Sequence, residues 1–303
     1  MIHFVSILDH DEAWLEKVLA SSSALKARMK AGIPDRKFMG KTLGMFFDKP
    51  STRTLVSLEV AITSMGGAAI DCSGETRLGQ REAVNDVARV MSRYVNVVAI
   101  RTFGHEVVRK FAANATVPVI NALSDYSHPT QAMADVMTMR EHLGDTRGRK
   151  LAFIGDGNNV ARSLASVCGR LGISFAIASP KGFELDEPFR MRLAKECPGM
   201  DFIETNDPAA AVKGADVVYT DVWASMGQEG ESQERLRSFS AFQVNSSLMA
   251  KAPAGCLVMH CLPAHRGEEI ADDVLESKAS IVFDQAENRM HFYRGLFAEL
   301  LPA

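Results

Sequence analysis

The feature that most constrains the fold of this chain is a regular alternation of short apolar runs with segments of helical periodicity. The runs are rich in Val and Ile, as in strands buried on both faces, and the segments between them carry apolar residues at three- and four-residue spacing. Such an alternation produces right-handed βαβ units and therefore parallel sheets. The predicted strands are residues 43–47, 68–71, 95–100, 117–120, 151–154, 175–178, 201–204, 217–220, 256–260 and 281–284.

The sequence predicts an α/β protein with two domains, each built on a doubly wound parallel sheet. The 303 residues suffice for two hydrophobic cores. Residues 144–150 are polar and rich in Gly and Arg, as in a domain boundary, and the strand and helix pattern starts again after them. We therefore expect a first domain at 1–143 and a second domain at 144–285.

Composition argues against several classes of partner. A net charge of −3 gives no general attraction to nucleic acid or to anionic lipid. No apolar stretch approaches the ~20 residues of a membrane span, and the first residues lack the order of a signal peptide. The five cysteines form no C-x-x-C pair, which argues against a disulfide framework or a zinc site. We expect a cytoplasmic protein that binds a small molecule and neither nucleic acid nor a membrane.

Residues 51–54 follow the first predicted strand and begin a predicted amphipathic helix. At such a helix start, unpaired backbone N–H groups and the positive end of the helix dipole attract an anion. The hydroxyls of Ser51, Thr52 and Thr54 add donors that suit a phosphate, as does the guanidinium of Arg53. An ordinary N-cap at Ser51 beside a solvated Arg53 is an equally open interpretation of this segment alone.

Further polar residues follow neighbouring predicted strands. Arg101 directly follows the predicted strand at 95–100, and His128 and Gln131 lie where a loop leads into a helix. The carboxyl ends of parallel strands meet at one edge of a sheet, and α/β proteins bind ligands there. This convergence favours an anion site, although a lone histidine is more often a hydrogen-bonded structural residue.

The turn at 155–159 in the second half is similar to a dinucleotide-binding motif. However, Val160 replaces the third glycine of G-x-G-x-x-G, and Ser179 follows the next strand where an acid would bind a ribose. A nicotinamide cofactor is therefore the weaker interpretation.

Three later segments carry candidate polar groups. Asp221 opens a long polar loop suited to closing over a ligand. Cys261 at a strand end is either an inert buried thiol or one tuned by nearby cations. Arg289, in the segment that opens the last helix, is either a surface residue or another anion contact.

Together these segments resemble the aspartate/ornithine carbamoyltransferase family over nearly the whole chain after about residue 40. Residues 51–54 correspond to that family's carbamoyl-phosphate loop, residues 128–131 to its second anion segment, and Arg101 to the arginine between them. The ornithine branch of the family is marked by Asn158-Asn159, by Asp221 with Ser225-Met226-Gly227, and by His260-Cys261-Leu262-Pro263.

The resemblance implies transfer of the carbamoyl group of carbamoyl phosphate to the δ-amine of L-ornithine, giving L-citrulline and phosphate, with no metal or organic cofactor. It implies that a C-terminal helix, 286–303, completes a carbamoyl-phosphate-binding first domain, and that the second domain binds ornithine. It also implies a homotrimer or an assembly of trimers. The reaction is one reversible equilibrium that serves either arginine biosynthesis or arginine breakdown.

The resemblance also assigns roles to residues. Arg53 would offset charge on the departing phosphate, and Arg101 and His128 would polarise the carbamoyl oxygen. Cys261 would lie beside the δ-amine, which must lose its proton to attack. The expected carbamoyl phosphate contacts are Ser51, Thr52, Arg53, Thr54, Arg101, His128, Gln131, Leu262 and Arg289. The expected ornithine contacts are Asn159, Asp221, Ser225, Met226 and Cys261.

Two residues depart from the family's pattern. Leu55 stands where a second arginine usually follows the first motif, and its periodicity places it on the apolar face of the helix. Arg77 stands where relatives usually carry Gln or His, in a segment that in the family reaches into a neighbouring subunit's site. We expect Arg77 to supply a cation across the subunit boundary that compensates for Leu55.

The sequence is also consistent with three other functions. A carbamoyltransferase acting on putrescine or on an acylated ornithine keeps the same first domain, but a diamine would leave Asp221 and Asn159 without α-substituents to bind. A nicotinamide-dependent oxidoreductase predicts binding of NADH. A non-catalytic protein that binds carbamoyl phosphate predicts binding without citrulline formation.

Overall fold

The structure is a computed structural model that describes residues 1–74, 77–223 and 232–301. It divides into two compact units, one of Met1–Met137 with Glu287–Ala303 and the other of Thr138–Ala286. The strands are β1 (Thr42–Phe47), β2 (Ala68–Asp71), β3 (Val97–Arg101), β4 (Val119–Leu123), β5 (Lys150–Ile154), β6 (Ser174–Ala178), β7 (Phe202–Thr205), β8 (Val217–Thr220) and β9 (Leu257–His260). The helices are α1 (Glu12–Lys30), α2 (Thr52–Thr63), α3 (Val84–Met91), α4 (His105–Asn114), α5 (Pro129–Leu143), α6 (Asn159–Leu171), α7 (Glu187–Glu196), α8 (Pro208–Val212), α9 (Ser232–Phe239), α10 (Ser246–Met249), α11 (Asp272–Leu275) and α12 (Val282–Leu300).

The first unit contains a parallel sheet of four strands in the order β2-β1-β3-β4. All five residues of β3 are buried, and Val98 and Ile100 pack with Phe111 of α4 in the core of this unit. Burial of each such side chain stabilises the fold by about 1.5–3 kcal/mol. The strand order reverses between β1 and β3, where Phe47 lies opposite Arg101. This reversal is the point at which doubly wound sheets bind ligands.

The second unit contains a parallel sheet of five strands in the order β7-β6-β5-β8-β9. Its strand order reverses between β5 and β8. Ile154 of β5 lies opposite Thr220 of β8, which in turn lies opposite His260 of β9. The residues that follow these three strands therefore emerge side by side at one edge of the sheet.

The predicted architecture of two doubly wound parallel sheets is confirmed, and the C-terminal helix ends in the first unit, as expected. The predicted strand at 281–284 is wrong. Ser280 forms an isolated bridge with Val258, and α12 begins at Val282, four residues before the predicted start of the last helix. The physical reason is that Val282 and Gln285 are buried while the two residues between them are exposed, which is helical spacing. Among the described residues, no helix is both long enough and apolar enough to cross a membrane.

Candidate active site

The first turn of α2 is held by two hydroxyl side chains. Ser51 is the N-cap residue, and its Oγ accepts a hydrogen bond from the backbone N–H of Thr54 at 3.4 Å. The same hydroxyl donates to Thr54 Oγ1 at 2.9 Å. Thr54 is buried, whereas Thr52 and Arg53 are exposed. The two hydroxyls therefore fix the turn internally, and Thr52 and Arg53 lie exposed at the helix start, where the backbone N–H groups attract anions.

Arg289 joins this turn from α12. Its Nη2 donates to Thr54 Oγ1 at 2.9 Å and to the hydroxyl of Tyr293 at 3.4 Å. The Tyr293 hydroxyl also pairs with Thr130 Oγ1 at 3.1 Å, so one chain of hydrogen bonds connects α2, α12 and α5. Arg289 is only 5% exposed, and its Nε has no hydrogen-bond partner within the described part of the chain. A buried guanidinium with a donor to spare suits an anionic ligand.

Arg101 and His128 are nearly buried polar groups of the same unit, at 6% and 5% exposure. Burial, together with the positive charges of Arg289 and Arg101, holds the pKa of His128 well below its usual value of 6.5. The imidazole is therefore neutral near pH 7. A neutral imidazole donates one hydrogen bond and can polarise a carbonyl oxygen without adding a charge.

Gln131 lies in the first turn of α5, and its amide is paired one helical turn later. Its Nε2 donates to Asp135 Oδ1 at 2.8 Å, and both side chains are fully buried. The amide oxygen, Oε1, has no hydrogen-bond partner among the residues that the structure describes. Asp135 is a residue that sequence reasoning missed, although its i+4 spacing from Gln131 was a usable signal.

Lys49 precedes the Ser51 turn and was also missed from the sequence. It is buried, forms an ion pair with Asp125, and places its Nζ 4.2 Å from the centre of the Phe103 ring. The guanidinium carbon of exposed Arg77 lies 4.2 Å from the centre of the same ring. The Phe103 ring therefore makes cation–π contacts with both Lys49 and Arg77, close to the strand that ends in Arg101.

In the second unit, Asp221 collects donors from the ends of neighbouring strands. Asn158, after β5, donates from Nδ2 to Asp221 Oδ2 at 2.9 Å. Cys261, after β9, donates from Sγ to Asp221 Oδ1 at 3.0 Å. Asp221 is 7% exposed, so this carboxylate is held in place in a largely desolvated setting. The structure thus brings the predicted residues Asp221 and Cys261 together.

The turn after β5 contains Asn158, the N-cap residue of α6. Asn158 Oδ1 accepts from the backbone N–H groups of Val160 and Ala161, at 2.9 and 3.0 Å. These are the groups on which a dinucleotide pyrophosphate would rest. The predicted contact Asn159 is the first residue of α6, and Asn158 is the neighbour that reaches Asp221. Ser225 and Met226 lie outside the described residues.

The strand end that carries Cys261 is fixed by a buried network. His260 Nε2 pairs with Glu269 Oε1 at 3.0 Å, and His260 Nδ1 accepts from the backbone N–H of Leu262 at 2.8 Å. Leu262 adopts a φ of 55°, a left-handed conformation that accompanies this return of its N–H toward the imidazole. Asp221, His260 and Cys261 bring potential metal ligands within 4.8 Å of one another, but both His260 nitrogens already have partners.

Arg235 of α9 connects the turn after β5 with the segment that follows Asp221. It donates to Asp156 Oδ2 at 2.7 Å and to the carbonyl oxygen of Trp223 at 2.6 Å. Burial raises the pKa of Asp156, and the Arg235 hydrogen bond opposes that change. The guanidinium therefore offsets the charge of one carboxylate near the carboxylate of Asp221.

Comparisons with known proteins give a consistent result. The family described as aspartate/ornithine carbamoyltransferase matches through its carbamoyl-P binding domain at residues 2–141 and its Asp/Orn binding domain at residues 147–300. The chain is 45% identical to an ornithine carbamoyltransferase of Anoxybacillus flavithermus, covering 98% of this chain and 96% of that protein. It is 48% identical to one of Pyrococcus abyssi, covering 96% and 92%. The solved structure of ornithine carbamoyltransferase from Pyrococcus furiosus matches with a TM-score of 0.96 at 45% identity, covering 99% of this chain and 96% of that one.

Proposed function

The chain belongs to the aspartate/ornithine carbamoyltransferase family, and from that premise we propose how its residues perform the reaction. The enzyme transfers the carbamoyl group of carbamoyl phosphate to the δ-amine of L-ornithine, giving L-citrulline and phosphate. One observation supports the division of labour between the units. Cations and donors collect in the first unit, around Thr54 and Arg289, whereas the second unit presents the carboxylate of Asp221.

We propose that carbamoyl phosphate binds to the domain formed by residues 1–143 and 286–303. Arg53 and Arg289, with the first turn of α2, bind the phosphate and stabilise its charge as it leaves. Arg101 and the neutral imidazole of His128 donate to the carbamoyl oxygen, where negative charge develops in the transition state. The further contacts proposed for this substrate are Ser51, Thr52, Thr54, Gln131 and Leu262.

We propose that ornithine binds to the domain at 144–285. Asp221 accepts hydrogen bonds from the α-ammonium group, since an ionised carboxylate only accepts. Cys261, held 3.0 Å from Asp221, lies beside the δ-amine and favours its neutral, nucleophilic form. Asn159, Ser225 and Met226 are proposed as the remaining contacts to the α-substituents.

We propose a homotrimer as the active assembly. The edge strand β2 exposes Ile70, and the adjoining helix α2 exposes Val56 and Val60, which together offer apolar surface to a second copy of the chain. Arg77, on the loop after β2, supplies a cation to the neighbouring subunit's carbamoyl phosphate, while Leu55 stays half-buried on α2.

Because the five cysteines of the chain are free thiols, we also propose a reducing, cytoplasmic setting for the protein.

The test of this function is a colorimetric citrulline assay of the purified protein with carbamoyl phosphate and four amines in parallel. The amines are ornithine, acetylornithine, putrescine and aspartate. Of the four amines, we expect only ornithine to give product. Product with another amine and none with ornithine would overturn the substrate assignment, and analogue binding without turnover would indicate a non-catalytic protein.

A further inference from the structure

The pairing between Gln131 and Asp135 carries an inference about how the enzyme selects its carbamoyl donor. Both side chains are completely buried in α5, and Gln131 Nε2 donates to Asp135 Oδ1 at 2.8 Å. An ionised carboxylate offers only acceptors, so it pairs with the NH₂ end of an amide and not with the oxygen. Asp135 therefore decides which end of the Gln131 amide is left over.

The remaining end of that amide is an acceptor. Asp135 lies one helical turn after Gln131 and pairs with its Nε2, so Oε1 is the end of the amide that is left for another donor. At its backbone, Gln131 donates its N–H to the carbonyl oxygen of His128 at 3.2 Å. Oε1 is buried and makes no hydrogen bond within the described residues. A buried acceptor left without a donor is costly, which indicates that a ligand supplies the donor.

The other polar side chains of this unit's site are mainly donors. Arg101, Arg289 and Arg53 carry guanidinium groups, which have no acceptor. They suit the phosphate and the carbonyl oxygen of carbamoyl phosphate. They offer nothing to its NH₂ group, which needs an acceptor.

We propose that Asp135 is a positioning residue that turns the Gln131 amide oxygen toward the NH₂ group of carbamoyl phosphate, and that this orientation makes the site prefer a carbamoyl over an acetyl group. The proposal rests on the function proposed above, because it identifies the donor substrate as carbamoyl phosphate. An acetyl group has the shape of a carbamoyl group but carries CH₃ in place of NH₂. It would leave Gln131 Oε1 buried without a donor.

The test uses two stable phosphonates that differ only at this position, phosphonoacetamide with NH₂ and acetonylphosphonate with CH₃. Isothermal titration calorimetry gives the dissociation constant of each for the intact enzyme. For the wild type we expect phosphonoacetamide to bind at least about tenfold more tightly, the effect of leaving one buried acceptor unpaired. Equal affinities in the wild type would overturn the proposal.

The decisive variant is Asp135→Asn, which keeps the shape of the side chain but can present either an acceptor or a donor to Gln131. Because the Gln131 amide can then flip, we expect the affinity ratio to fall to roughly threefold or less, mostly through weaker binding of phosphonoacetamide. A purely structural role for Asp135 predicts equal losses for both phosphonates and an unchanged ratio, and that result would overturn the proposal.

Two further variants complete the design. Met133→Leu changes a buried apolar residue of the same helix and should leave the ratio at the wild-type value. If Asp135→Asn does not fold, Gln131→Met removes the acceptor itself and should bring the ratio to about one. A wild-type ratio in Gln131→Met would refute the proposal. Failure of the proposed function is distinguishable, because it would abolish citrulline formation without bringing the wild-type ratio to one.

Discussion

Replacing Tyr293 by Phe removes one hydroxyl from the centre of the hydrogen-bond chain that positions Arg289. That hydroxyl accepts from Arg289 Nη2 at 3.4 Å and pairs with Thr130 Oγ1 at 3.1 Å, and Tyr293 is fully buried. Each bond contributes about 0.5–1.5 kcal/mol, and both are long, so the total loss is about 1–2 kcal/mol. If most of this free energy serves to orient Arg289, the KM for carbamoyl phosphate should rise roughly 5- to 30-fold.

The assay is citrulline formation at saturating ornithine with carbamoyl phosphate varied, together with a thermal melt. The matched control is Tyr219→Phe in the second unit, which removes another fully buried hydroxyl, one that accepts from Gln285 Nε2 at 3.0 Å. The control should lower Tm without raising the KM for carbamoyl phosphate. A Tyr293→Phe enzyme with a lower Tm and an unchanged KM for carbamoyl phosphate would show that the hydroxyl serves stability alone.

Three further predictions concern individual side chains. Cys261→Ala should weaken ornithine use, measured as kcat/KM, far more than carbamoyl phosphate binding, and equal losses would refute the role given to the thiol. Arg77→Ala should raise the KM for carbamoyl phosphate, whereas an unchanged value would remove the proposed cation from the site. His128 has a folded-state pKa well below 6.5, so below about pH 6.5 the unfolded chain binds a proton that the folded chain does not, and stability falls by up to about 1.4 kcal/mol per pH unit. Urea unfolding between pH 7.5 and 5.5 should show a smaller loss for His128→Gln than for the wild type, and identical losses would contradict this sign.

Local patterns predicted most of the fold because most of the strands are short and buried. The run at 151–154 reappears in β5, where all four residues are buried, since a parallel strand covered on both faces must be apolar throughout. The prediction of a strand at 281–284 is wrong because four residues of mixed polarity fit both the helical and the strand period. Only the continuation of α12 beyond them decides between the two. The other strand boundaries differ from the predicted ones by at most three residues, since the ends of helices and strands are the least defined part of a pattern.

The sequence alone determined the fold class, the Ser51 turn and the polar residues at the strand ends, because each depends on neighbours within a few positions of the chain. Only the tertiary structure could decide which distant groups meet. Thr54 and Arg289 are far apart in sequence, but Arg289 Nη2 lies 2.9 Å from Thr54 Oγ1. Likewise, Cys261 Sγ lies 3.0 Å from Asp221 Oδ1. The tertiary structure also decided how side chains are oriented. The identity of Gln131 does not say which end of its amide faces a ligand, whereas the hydrogen bond with Asp135 does. The physical reason is that periodicity specifies the face on which a side chain lies, whereas packing and hydrogen bonding between elements specify its partner.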